Sequence, residues 1–164
     1  MEISKQSSGF SLVELIIVTI IIATISIMAY IRWSEATTYL DAQTSIFVNN
    51  LRYTQNLSLS KNERCRLIVT LPKSYDIQNS KNIHQPIPDQ NANAIATLES
   101  GISFKALTNI TANTIIFDGQ GVPYTGNPEI QLTSDATIVL QNSSGQTATI
   151  GIAKTTGKIS VSYP

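Results

Sequence analysis

Hydrophobic and polar positions divide the chain into three stretches of different texture. Residues 1–9 are polar apart from Met1 and Ile3. Phe10 to Ile31 then hold 17 apolar residues among 22, and Glu14 is the only charge. As a helix, that block reaches about 33 Å, enough to cross a hydrocarbon core of about 30 Å. It is too long for the apolar region of a cleaved secretory signal, about 7–15 residues. Ile27-Met28-Ala29 also lacks the small residue such a cleavage site needs at its first position. The pattern predicts a membrane-spanning helix over 10–31, with Arg32 and Trp33 as an interfacial anchor pair.

No glycine or proline interrupts Arg32 to Leu59, so the helix is expected to continue through 32–60. Ala36, Leu40, Phe47, Leu51 and Leu57 recur at helical spacing as an amphipathic stripe. The first proline is Pro72, so no kink is expected. From Arg64 the pattern shortens to strand-like runs at 66–71, 75–78, 102–106, 114–117, 129–133, 137–141, 147–153 and 158–163. Asn142-Ser143-Ser144-Gly145 and Thr155-Thr156-Gly157 read as hairpin turns, and the polar stretch Asn79 to Asn93 as an exposed loop. The predicted class is α+β: one long N-terminal helix packed on an antiparallel sheet, the strands filling a domain at 61–164.

Charge narrows the possibilities. Only 13% of residues are charged, against roughly 25% in a typical soluble domain. Eleven Lys+Arg balance eleven Asp+Glu, which argues against a broad basic surface for nucleic acid. At 164 residues there is no room for a large two-domain enzyme. Cys65 is alone, which excludes an intramolecular disulfide and a thiolate cluster, and it is expected to be small and buried. His84, the only histidine, falls in the polar loop and is expected at the surface. Asp118-Gly119-Gln120-Gly121 reads as a glycine-rich turn; one carboxylate is too few for calcium, which takes six to eight oxygens. No nucleophile–base pair, phosphate loop or paired carboxylates occur, so neither enzyme activity nor a cofactor or metal is expected.

Glu14 is costly within a membrane segment and points to a function or a fixed partner. The residues around it, Gly9-Phe10-Ser11-Leu12-Val13-Glu14, resemble the processing site of type IV prepilins and of type II secretion pseudopilins. The resemblance implies a leader over 1–9, cut after Gly9 by a prepilin peptidase that then methylates the new amine of Phe10. It gives Glu14 the role of counter-charge to the Phe10 amine of a neighbouring subunit, setting axial register in a filament. Ile116-Phe117-Asp118-Gly119 and the closing Gly157-Lys158-Ile159-Ser160-Val161 resemble the GspH/FimT group of minor pseudopilins and pilins. The lack of a cysteine pair separates the chain from many major pilins.

That likeness implies a minor pseudopilin of a type II secretion system. It would be anchored once in the bacterial inner membrane with its C-terminal domain in the periplasm. Its partners would be other pseudopilins or minor pilins and the inner-membrane assembly platform. The alternative is a FimT-like minor pilin that serves pilus assembly or binds DNA. Some of that group bind DNA through Gly-Arg-x-Arg; here Gly157, Lys158, Ile159 and Ser160 fill the pattern, leaving one basic residue. Lys154 and Lys158 are the candidate DNA contacts. Arg52, Lys61, Arg64 and Arg66 form a second basic group, broken by Glu63 and expected to be solvated or to meet another subunit.

Overall fold

The computed structural model describes residues 11–88, 94–99 and 101–164, with 28–37 as helical backbone only. The expected leader 1–9 and Phe10 lie outside the described residues. The chain forms two compact units, Met1–Glu35 and Ala36–Pro164.

Helix α1 spans Leu12–Lys61. Ser11 opens it: its Oγ accepts the Val13 N–H at 3.3 Å and its carbonyl accepts the Leu15 N–H at 3.2 Å. Nothing in the sequence stops the helix before Asn62, which turns left-handed (φ 48°) while the Glu63 N–H closes on the Ser58 carbonyl at 3.3 Å. Among the described residues no helix is long and apolar enough to cross a membrane. The expected span 10–31 runs past the described side chains at both ends.

Among its described residues the second unit contains ten strands. In chain order they are β1 (Cys65–Thr70), β2 (Ser74–Gln78), β3 (Ile95–Thr97), β4 (Ile102–Thr108), β5 (Thr114–Phe117), β6 (Pro123–Thr125), β7 (Ile130–Gln131), β8 (Ala136–Asn142), β9 (Thr147–Ile152) and β10 (Ile159–Ser162). They are antiparallel, as expected, and divide into two sheets: β3-β2-β1-β5-β6-β7 and β10-β9-β8-β4. In the second sheet, β8 and β9 alternate strictly, with Ala136, Ile138, Leu140, Ala148, Ile150 and Ile152 turned inward. β5 is buried on both faces, which its Thr-Ile-Ile-Phe run reflects.

One core joins both sheets to the second half of α1. Phe47 meets Tyr75 of the first sheet edge to face at 5.0 Å between centroids, and Phe104 of the second at 5.3 Å. The expected stripe residues Leu40, Phe47 and Leu51 are buried, while Leu57 is half-buried. The same helix face also buries Thr44, Asn50, Thr54 and Ser58. Their burial is tolerated because each polar group is satisfied. Thr44, Thr54 and Ser58 donate to carbonyls four residues back at 2.7, 2.8 and 3.0 Å, and Asn50 Nδ2 donates to the Tyr75 hydroxyl at 2.7 Å.

Two strands, β3 and β6, are additions to the expected set, and the strand expected at 129–133 contracts to Ile130–Gln131. The loop expected over 79–93 is anchored where it is described. The Gln85 N–H donates to the Ile77 carbonyl at 2.8 Å, Lys61 Nζ reaches Gln85 Oε1 at 2.8 Å, and Ile87 is buried.

Candidate functional site

The apolar side chains of α1 from Leu12 to Ile27 stand exposed among the described residues. Every large hydrophobic residue from Leu12 to Ile27 is 43–74% exposed, on all sides of the helix. A helix that is apolar all round is built to be surrounded by other apolar material. Its hydroxyls are turned back on its own backbone. Thr19 Oγ1 donates to the Ile16 carbonyl at 2.8 Å, Thr24 to Ile21 at 2.8 Å and Ser26 to Ile22 at 2.7 Å. They therefore need no water.

Glu14 breaks this apolar surface. It stands exposed in the first helical turn, where the helix dipole favours a carboxylate. Among the described residues it makes no ion pair or side-chain hydrogen bond. Gly9 and Phe10, the expected cleavage and methylation positions, lie outside the described residues.

The remaining candidates fall in the second unit. The two expected DNA contacts, Lys154 and Lys158, flank the β9–β10 turn, but Lys154 Nζ is held by the Thr133 carbonyl at 3.0 Å. Lys158 is exposed. Two of the four residues in the second basic group are drawn into a structural latch. Arg64 and Arg66 both pair with Glu129, the latter at 3.0 Å, and the Arg64 guanidinium lies 4.5 Å over the Tyr124 ring. The hydrogen bond to Glu129 raises the Arg64 pKa further above its ordinary value. Arg66 and Tyr124 flank fully buried Ile116 in the sheet register, so this latch roofs one face of β5.

His84 is exposed as expected, but it has a partner that sequence spacing did not suggest. Its Nδ1 lies 3.1 Å from Oδ2 of Asp76, a buried carboxylate that also accepts from Gln78 Nε2 at 2.6 Å. Asp118 Oδ1 accepts the Gln120 and Val122 N–H groups, each at 2.9 Å, so this carboxylate builds a turn. Among the described residues no three His, Cys, Asp or Glu side chains are grouped to hold a metal. Cys65 is fully buried, and desolvation raises its thiol pKa.

Sequence reasoning missed Gln55. Its Nε2 donates to the carbonyls of Gly121 at 3.0 Å and Gly157 at 3.3 Å, tying α1 to the Asp118–Val122 turn and the β9–β10 turn. Gly157 has φ +63°, and a Cβ there would collide with the Gly121 carbonyl oxygen and with Gln55 Nε2. The two glycine motifs noted in the sequence are thus structural seats for the helix.

Comparison with known proteins adds to this geometry. Residues 4–30 match the prokaryotic N-terminal methylation motif. The fold is similar to that of the minor pseudopilin EpsH from the type 2 secretion system of Vibrio cholerae. The TM-score is 0.54 at 9% identity, over 75% of this chain and 94% of that one. It is also similar to the type IV minor pilin FimU of Pseudomonas aeruginosa, with TM-score 0.50 at 11% identity, over 81% and 92% of the two chains. No curated protein matches by sequence. The chain thus carries a methylation motif over 4–30 and, behind it, a fold similar to that of these two minor subunits.

Proposed function

We propose that the chain is a minor pseudopilin, a structural subunit of the periplasmic pseudopilus of a type II secretion system. The observation that carries the reading is the methylation motif set on a helix whose apolar side chains are exposed all round, with Glu14 as the only charge. Residues 1–9 serve as the leader, 10–31 anchor the subunit in the inner membrane before assembly, 32–60 carry the helix into the periplasm, and 61–164 form the exposed domain. Prepilin peptidase cuts between Gly9 and Phe10 and methylates the Phe10 amine. Within the filament that amine needs an anion in apolar surroundings, and Glu14 of the adjacent subunit supplies it. A buried pair of this kind fixes register more than it adds stability. The role is packing against other pseudopilins on the assembly platform, not catalysis.

The test is mass spectrometry of the N-terminus after co-expression with a prepilin peptidase. The expected product begins at methylated Phe10, and Gly9→Leu leaves the leader uncut. Glu14→Ala is cut normally yet fails to enter filaments. Normal incorporation of that variant would overturn the role given to Glu14.

Likeness to FimU favours a second reading, a minor pilin that primes a pilus or captures DNA. The latch at Glu129 and the anchoring of Lys154 engage three of the six candidate cations, and each free cation on a phosphate adds salt-dependent affinity. The processed chain is therefore expected to give no salt-dependent DNA mobility shift. A shift abolished by Lys154→Ala and Lys158→Ala would favour the second reading.

A further inference from the structure

The free end of the first sheet opens on a polar cleft of about 220 Å³, lined by Asn109, Thr111, Thr125 and Ile130 to Thr133. β7 is the terminal strand there, joined to β6 through Thr125↔Ile130 and Tyr124↔Gln131. The Leu132 N–H donates inward to the Pro123 carbonyl at 3.2 Å. By the alternation of an antiparallel ladder, the N–H and C=O of Gln131 and Thr133 then point outward, to the open side. The Thr133 carbonyl already accepts Lys154 Nζ at 3.0 Å, as that geometry requires. Gln131 has no such cap.

The cleft limits what could pair with that edge. Its lining contains no charged residue, which disfavours phosphates, nucleic acid and acidic peptides. It contains no aromatic ring on which a sugar face could stack. It does offer the Thr111 and Thr133 hydroxyls and the Gln131 carboxamide, none with a side-chain hydrogen bond among the described residues. Ile130, 59% exposed, stands beside them as an apolar anchor. The neighbouring loop is held in costly backbone conformations, Asn109 at φ 59°, Ala112 at 52° and Asn113 at 53°; such strain collects at binding sites. Asn109 is fixed by its Nδ2 donating to the Asp135 carbonyl at 2.8 Å.

We infer that this edge receives an extended, uncharged peptide segment of a partner protein as an added strand. The Gln131 main chain would pair with it and Ile130 would take an apolar side chain. Lys154 caps the end of the site by occupying the Thr133 carbonyl, and so limits its length. The inference holds whether or not the subunit polymerises.

The experiment uses the full chain, isotope-labelled in detergent micelles, titrated with an acetylated and amidated peptide of alternating threonine and valine. Saturable amide shifts are expected at Asn109, Gln131 and Thr133. Gln131→Pro removes the outward N–H while leaving the inward bonds of Ile130 and Leu132, and is expected to abolish the response. Ile130→Lys, which needs no backbone change, is expected to weaken it about tenfold. Lys154→Met frees the Thr133 carbonyl and is expected to tighten binding about fivefold, the net worth of one hydrogen bond. Absence of shifts at millimolar peptide, an undiminished response in both edge variants, or shifts produced by maltohexaose instead would overturn the inference.

Discussion

Gln55 and Glu129 each tie distant parts of the domain together, though nothing in the sequence marks either. Gln55→Ala removes a donor shared by the Gly121 and Gly157 carbonyls and is expected to cost about 1–2 kcal/mol in denaturant unfolding. Gly157→Ala adds a methyl where Gly121 and Gln55 already stand, at a φ that alanine resists, and is expected to cost more than about 3 kcal/mol. Glu129→Ala leaves Arg64 and Arg66 unpaired; because the cluster is partly exposed, about 1–2 kcal/mol is expected. Cys65 is expected to resist alkylation in the native chain and to react fully once unfolded. Its raised thiol pKa means the native state holds that proton more tightly. That contribution is therefore full below the thiol's ordinary range and is lost as pH rises through the folded pKa. At this scale the sequence was legible where chemistry is local. Glu14 was identifiable because its neighbours are apolar, and Cys65 because it opens a β-branched run. The pairing of His84 with Asp76 and the double contact of Gln55 depend on which strands and turns meet in space, and spacing does not record that.

The second half of α1 shows why hydrophobic periodicity reads a helix face only in part. Leu40, Phe47 and Leu51 were visible, but Thr44, Thr54 and Ser58 occupy the same buried face as apolar-sized side chains whose hydroxyls bond to the helix itself. Thr54→Val should therefore be nearly neutral, because the Asn50 carbonyl keeps its place in the helix ladder. Ser58→Ala should cost about 1–2 kcal/mol, because Ser58 Oγ also accepts the buried Cys65 N–H at 3.2 Å. Comparing the two unfolding midpoints checks both. Among strands, the longer alternating runs were legible. β3 and β6 were not: each has only three residues, and β6 begins with a proline, which normally argues against a strand. Alternation shows which side of a strand is buried but not which strand lies next to it, so the division into two sheets was not legible.

For the whole molecule, the core among the described residues extends from Leu40 to Ile159, within the unit Ala36–Pro164. Residues 36–164 are therefore expected to fold alone, with cooperative unfolding by circular dichroism, while the full chain needs detergent to stay dispersed. A molten 36–164 fragment would show that the core depends on the segment before it. The division into an apolar helical half and a mixed domain was legible from composition alone, since burial follows apolar content when a stretch is this extreme. The self-satisfied hydroxyls of Thr19, Thr24 and Ser26 have a mechanical consequence. They offer a neighbouring helix no unpaired hydroxyl donor along residues 15–27, so contact there rests on the fit of apolar side chains alone. Any apolar surrounding can therefore meet this stretch without costing it a hydrogen bond.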